Sequence, residues 1–489
     1  MTSIHRSLAI SFIERYAIIA ISLASNILLA RLLTPDEIGV YSVSLAVIGI
    51  AQVLRDFGIG NFLIQEKNLT EDHIRTALGF SLVIGSCLFV IFYFSAPYAG
   101  DFYGENRMTQ TMRICALNFL TLPFCTISLA LLRRELAFKR LAIVNLVAAV
   151  VSFCTSISLA YSGYGTNSLA IASVSLNIVT GIGTWLIRTD YKFLLPGFSK
   201  WRSLLSFGAQ NTAAGIVTTI AMNINDLAIG KILGFTSVAM ISRAQGLMNL
   251  FHQDFMGAIR NVAFPAFAAS HRKNGNLEAQ YISSVASITA IAWPFYAFAS
   301  LFSLELLRLF FGMQWDAAAP MVPWFCLGGA FAATINLVQP LLMALGCINQ
   351  VTRIEFFLQP LRAISMIAGV WYFQSMMIVA ILYAANAFLA IPYHYQVKSQ
   401  IQLNHYKMLL LVLTKSATLT LFCCAFPISI YFMAPRIESG IPLVYLLFAM
   451  VLCACTWLCG LLLLKHPLTT DPVFARYLNK LRFIRPSSI

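Results

Sequence analysis

Arg15, Arg55 and Arg243 stand well inside apolar stretches of this chain. On insertion scales an arginine at mid-membrane costs about 2.5–3.5 kcal/mol. Three together would cost on the order of 8–10 kcal/mol if nothing compensated them. Asp56 adjoins Arg55, but neighbours on a helix point about 100° apart, so a poor direct partner is expected. Water in a cavity and an anionic ligand are better compensation. A guanidinium is a planar fork of donors matched to phosphate oxygens. The chemistry expected of these residues is therefore anion binding.

Around them lies a polar stripe. Ser7, Ser11, Arg15, Ser22 and Asn26 recur at helical spacing, which puts them on one face. Asn211, Gly215, Thr218 and Asn225 do the same in a later stretch. Lipid penalises such a face, so it should meet a partner helix or a wet cavity. Small polar residues that merely join helices are the alternative. Asp226 and Asp254 are the acids placed to bind a coupling H⁺ or Na⁺. The seven histidines (His5, His73, His252, His271, His394, His405 and His466) scatter over span ends and loops and form no catalytic constellation. Cys453, Cys455 and Cys459 fit no zinc spacing. No catalytic residue, metal or cofactor is expected.

The elements that must position these groups follow from composition. Of 489 residues, 59% are hydrophobic and only 11% charged, with mean hydropathy +0.77. Soluble domains carry about 25% charged residues, so this surface needs lipid. Fourteen apolar stretches have lengths suited to a bilayer core of about 30 Å: 8–31, 40–64, 77–95, 111–132, 141–161, 167–187, 206–230, 237–258, 280–303, 321–345, 356–373, 376–396, 408–432 and 441–464. The first is too long for a signal-peptide core and reads as a retained helix. With the N-terminus in the cytoplasm, 22 of the 33 Lys and Arg fall in cytoplasmic segments, five on the other side and six within spans. That bias predicts cytoplasmic termini. It also explains the net charge of +14 without nucleic acid.

A weak repeat at a shift of 200 lays "ARLLTPDEIGVYS" (30–42) over "GKILGFTSVAMIS" (230–242). "DFYG" (101–104) lies over "LFFG" (309–312) at a shift of 208. Both shifts superpose span one on span seven and span three on span nine. Six spans per half make parallel repeats, one of the two standard transporter builds. The expected fold class is an all-α polytopic membrane protein: six-helix bundles at 1–200 and 201–400, two additional helices at 401–464, and a basic cytoplasmic tail at 465–489. Phe474, Tyr477, Leu478 and Leu481 share a helical face in that tail, which suits an interfacial amphipathic helix or a solvated segment.

Three segments carry a family resemblance. "RLLTPDEIGVYSVSLAVIGIAQVLRDFGIGNFLIQEK" (31–67) resembles the N-terminal signature of Wzx-type polysaccharide exporters. "FGMQWDAAAPMVPWFCLGG" (311–329) is similar to that family's Gly-x-x-Trp segment, and "AFPAFAASHRKNG" (263–275) to its Phe-Pro-Ala element. The resemblance implies the multidrug/oligosaccharidyl-lipid/polysaccharide exporter superfamily, with two six-helix bundles around a central cavity. It implies flipping of undecaprenyl-pyrophosphate-linked oligosaccharides across the bacterial inner membrane by alternating access, for surface or extracellular polysaccharide. A polysaccharide polymerase and a chain-length regulator would be partners, beside membrane lipids. Related lipid II flippases carry cavity arginines on spans one, two and eight, the spans of Arg15, Arg55 and Arg243. Arg55 would then face the cavity, and Gly58 and Gly60 would let span two bend or end. The competing functions are a cation-coupled drug antiporter of the same superfamily and a membrane-embedded polymerase or acyltransferase. A polymerase would be expected to carry a long periplasmic catalytic loop, which this sequence lacks.

Overall fold

The computed structural model describes residues 2–187, 195–273, 275–400, 406–435 and 440–470. The expected tail helix at 474–481 lies outside them. Helices run in the order α1 (Thr2–Leu32), α2 (Pro35–Asp56), α3 (Ile59–Gln65), α4 (Glu71–Tyr103), α5 (Asn106–Ala116), α6 (Asn118–Arg134), α7 (Phe138–Tyr161), α8 (Thr166–Ile187), α9 (Trp201–Leu233) and α10 (Phe235–Asn249). They continue as α11 (Met256–Arg272), α12 (Leu277–Leu301), α13 (Ser303–Phe310), α14 (Val322–Ile335), α15 (Val338–Ala344), α16 (Ile348–Phe373), α17 (Met376–Asn386), α18 (Ile391–Gln400), α19 (Tyr406–Met433) and α20 (Leu443–Leu463).

The protein is an all-α polytopic membrane protein. Twelve segments among the described residues are long and apolar enough to cross a bilayer. The expected spans at 206–230 and 237–258 fall on α9 and α10, which are helical as well. Within the spans, hydroxyls return to their own helix, as in Ser44 Oγ to the Val40 carbonyl at 2.7 Å. In lipid no water is present to satisfy them.

Tertiary contacts divide the chain into residues 1–239 and 240–489, and α9 packs along α2 in the first unit. The start of α2 is fixed by its sequence. Thr34 Oγ1 accepts from Glu37 N at 3.3 Å, Glu37 Oε2 accepts from Thr34 N at 2.8 Å, and Pro35 opens the helix. Asp36 is tied to Arg107 Nη2 at 2.5 Å. Gly39 lets α2 meet the start of α10: a Cβ there would lie 2.0 Å from the Phe235 carbonyl oxygen.

Span two is not continuous. It breaks at Phe57 (φ 36°) and Gly58 (φ 64°), both left-handed, and resumes as α3. Of the two readings for Gly58 and Gly60, the span bends rather than ends, and Gly60 lies inside α3. Arg134 at the end of α6 donates from Nη1 to the carbonyls of Leu63 (2.8 Å), Ile64 (3.2 Å) and Glu66 (2.6 Å). These carbonyls have no intrahelical partner at a helix end. Ile59, Phe62 and Leu63 of α3 bury against Ile74, Ile127, Leu131 and Leu204.

The helix boundaries follow the sequence repeat. The break between α1 and α2 (Leu32/Pro35) and that between α9 and α10 (Leu233/Phe235) coincide at a shift of 200. Gly104 (φ 71°) and Gly312 (φ 101°), 208 apart, both take positive φ just after a helix. Span eight is irregular too, with a π-helical turn at Leu250–Phe255 between α10 and α11.

Candidate functional site

In the first unit two cavities share α2 as a wall. One, of about 450 Å³, lies among α1, α2, α6, α7 and α8, and its lining includes Arg55, Gln52, Asn118, Asn177 and Ser25. The other, of about 530 Å³, lies between α2 and α9 and is bordered by Ser42, Asp56, Thr219, Asn223 and Asp226. Gln52 borders both.

Arg55 and Asp56 therefore address different cavities, and they are joined. Arg55 Nη2 lies 2.5 Å and Nε 3.0 Å from Asp56 Oδ1. This corrects the expectation that Asp56 is a poor partner. The long arginine side chain wraps the last turn of α2 to reach its neighbour, and the helix ends there. The Arg55 side chain is 11% exposed and that of Asp56 59%, so the guanidinium sits inside and the carboxylate at a wet edge.

A polar chain stiffens the first cavity. Asn177 Nδ2 donates to Asn118 Oδ1 at 2.7 Å, and Asn118 Nδ2 donates to Ser173 Oγ at 3.0 Å. Ser173 Oγ donates to the Ala170 carbonyl at 2.7 Å. Ser152 Oγ ties α7 to the Ala172 carbonyl of α8 at 3.0 Å.

The remaining expected residues are dispersed. Arg15 is exposed on α1, beside Glu14, whose Oε1 accepts from Asn145 Nδ2 at 2.8 Å. Asn26 is exposed, while its neighbour Ser25 reaches the cavity wall. Asn225 Oδ1 is buried with no partner among the described residues. The side chains of Asn211, Thr218 and Asp254 lie outside the described ones. In the second unit Arg243 stands 5.0 Å from the ring centroids of both Phe311 and Trp315, and Trp315 is fully buried. The Gly-x-x-Trp segment thus supplies a turn at Gly312 and an aromatic face for that cation.

Comparison with known proteins decides the family. The family described as "Polysaccharide biosynthesis protein" matches residues 28–320. The chain belongs to this family. Among its relatives, lipopolysaccharide biosynthesis protein WzxC of Escherichia coli K12 is 25% identical over 343 residues, 68% of each chain. Teichuronic acid biosynthesis protein TuaB of Bacillus subtilis is 24% identical over 301 residues, 60% of this chain and 62% of that one. The fold is that of the multidrug/oligosaccharidyl-lipid/polysaccharide superfamily. An inward closed lipid II flippase MurJ superposes with a TM-score of 0.73 at 13% identity, covering 93% of this chain and 98% of MurJ. An inward-facing multidrug transporter superposes with a TM-score of 0.60 at 16% identity, covering 78% and 94%.

In this member of the polysaccharide biosynthesis family, Gln52, Asn118, Ser152, Ser173 and Asn177 line the cavities beside Arg55 and Asp226 without having been singled out in the sequence. A signal existed. Ser152 and Ser156 on α7, and Ser173 and Asn177 on α8, stand four apart and repeat the spacing noted on span one.

Proposed function

We propose that this protein carries an undecaprenyl-pyrophosphate-linked oligosaccharide across the bacterial inner membrane by alternating access, for surface or extracellular polysaccharide. One observation carries the reading: Arg55 is a guanidinium deep in a membrane span that opens into a polar cavity. The names of the relatives and the superfamily fold support it. Both termini and the turn at 135–137 would be cytoplasmic. Arg55 would meet the pyrophosphate through its fork, displacing Asp56. Arg15, Arg243, Asn26, Asn211, Thr218 and Asn225 would line the rest of the path. H⁺ or Na⁺ coupling would involve Asp226, with Asp254 as a second candidate. A polymerase and a chain-length regulator would act beside it.

The test is export of polysaccharide normalised to the amount of protein in the membrane. Replacing Arg55 with Ala should weaken substrate affinity about 10- to 100-fold, the scale of charged hydrogen bonds. Lipid-linked precursor should accumulate on the cytoplasmic side. Lys should rescue in part, since it supplies charge without a fork. Unchanged normalised export in the Ala variants of Arg15, Arg55 and Arg243 would refute the cationic-cavity mechanism. A cation-coupled drug antiporter is the second reading, favoured by Asp56 and Asp226 on one cavity. Loss of drug efflux in Asp226→Asn, with precursor levels unchanged, would select it.

A further inference from the structure

The cavity behind Arg55 is built for more than a phosphate. Its lining joins the amides of Gln52, Asn118 and Asn177 to the hydroxyls of Ser152 and Ser173. A carboxamide donates and accepts at once, and so does each hydroxyl of a sugar. Leucines of α1, α2, α6 and α8 fill the rest of the wall, apolar surface suited to the C–H faces of a pyranose ring. The volume of about 450 Å³ lies in the range of small-ligand pockets. It is too little for a polyprenyl chain together with its glycan.

The amides of Asn118 and Asn177 are held before any ligand arrives. The chain Asn177–Asn118–Ser173–Ala170 fixes their rotamers across α6 and α8, and Asn177 is its free end at the cavity wall. Such preorganisation lowers the ordering cost of binding. Charge selects further. Among the described residues on this wall, Arg55 is the one formally charged side chain, and it is already paired with Asp56. Once a phosphate occupies Arg55, a carboxylate on the adjoining sugar would find no second cation.

We propose that this cavity is a subsite for an uncharged sugar unit next to the pyrophosphate, held by Asn177, Asn118 and Gln52. The proposal rests on the transport reading above and adds the class of sugar that the first unit accepts.

The experiment uses the full chain in lipid nanodiscs and three probes: farnesyl pyrophosphate, farnesyl-pyrophosphate-linked galactose and farnesyl-pyrophosphate-linked glucuronate. The galactosyl probe should bind wild type at least about tenfold tighter than farnesyl pyrophosphate, from two or more hydrogen bonds of about fivefold each. The glucuronosyl probe should show no such gain. Asn177→Ala should weaken the galactosyl probe about fivefold and leave farnesyl pyrophosphate unchanged. Ser152→Ala, a smaller change, should weaken the galactosyl probe alone and keeps the proposal falsifiable if Asn177→Ala does not fold. Equal affinity for the sugar-bearing and bare probes overturns the subsite, as does equal weakening of both by Asn177→Ala. A glucuronosyl probe that binds as tightly as the galactosyl one overturns the charge argument and with it the proposal. If none of the three probes binds wild type, the transport reading itself fails.

Discussion

At the scale of single residues, two cations and one histidine have distinct environments. Arg243 stands 5.0 Å from the ring centroids of Phe311 and Trp315. Cation–π contact contributes about 0.5–2 kcal/mol, and loss of a buried Trp costs about 3–5 kcal/mol. Trp315→Ala should therefore lower the melting temperature and the membrane level far more than Trp315→Phe, measured by thermal unfolding in detergent. His466 is fully buried, with Nε2 3.1 Å from Ser416 Oγ and Lys415 nearby. Burial pushes its pKa down from 6.5 to about 4. The folded state thus binds fewer protons than the unfolded one. Stability should fall as pH drops below about 6.5 and level off near 4, by at most on the order of 3 kcal/mol. His466→Gln should flatten that profile over the same window. The Arg55–Asp56 pair was not legible in the sequence, because ideal helical directions were applied to a residue at a helix end. Arg55 itself was legible, since a deep charge stands out in any apolar segment.

At the scale of elements, the turns carry most of the sequence's information. The capping box at Thr34–Glu37 and the glycines at 104 and 312 mark helix limits that the structure keeps. The break in span two was harder to read. Gly58 and Gly60 were visible, yet the decisive residue is Phe57, whose left-handed backbone no residue type announces. Arg134 holds the far end of α3 through three carbonyls. Arg134→Ala should cost about 1–3 kcal/mol by leaving them unpaired, read as a drop in thermal stability, with Lys restoring part. Gly39→Ala should also destabilise, by about 1–3 kcal/mol, because its Cβ would meet backbone at Phe235 rather than a movable side chain. The Asp36–Arg107 pair is half exposed on both sides, so Asp36→Asn should change stability by under about 1 kcal/mol.

At the scale of the whole molecule, composition and periodicity gave the fold class, because lipid leaves few alternatives to long apolar helices. The basic bias predicts that reporters fused at 135–137 and at either terminus report cytoplasm, and reporters within 304–320 the opposite side. Termini on opposite sides would end the parallel-repeat reading. The break at Phe57–Gly58 also has a mechanical meaning. Span two is two rods, the shorter clamped to α6 by Arg134 and the longer packed along α9, with the joint between them. A group beside a pivot turns through the full angle while hardly travelling. Arg55 and Asp56 sit two residues and one residue from that joint, so a swing of α2 would re-aim their charges without carrying them across the membrane: a dial, not a piston.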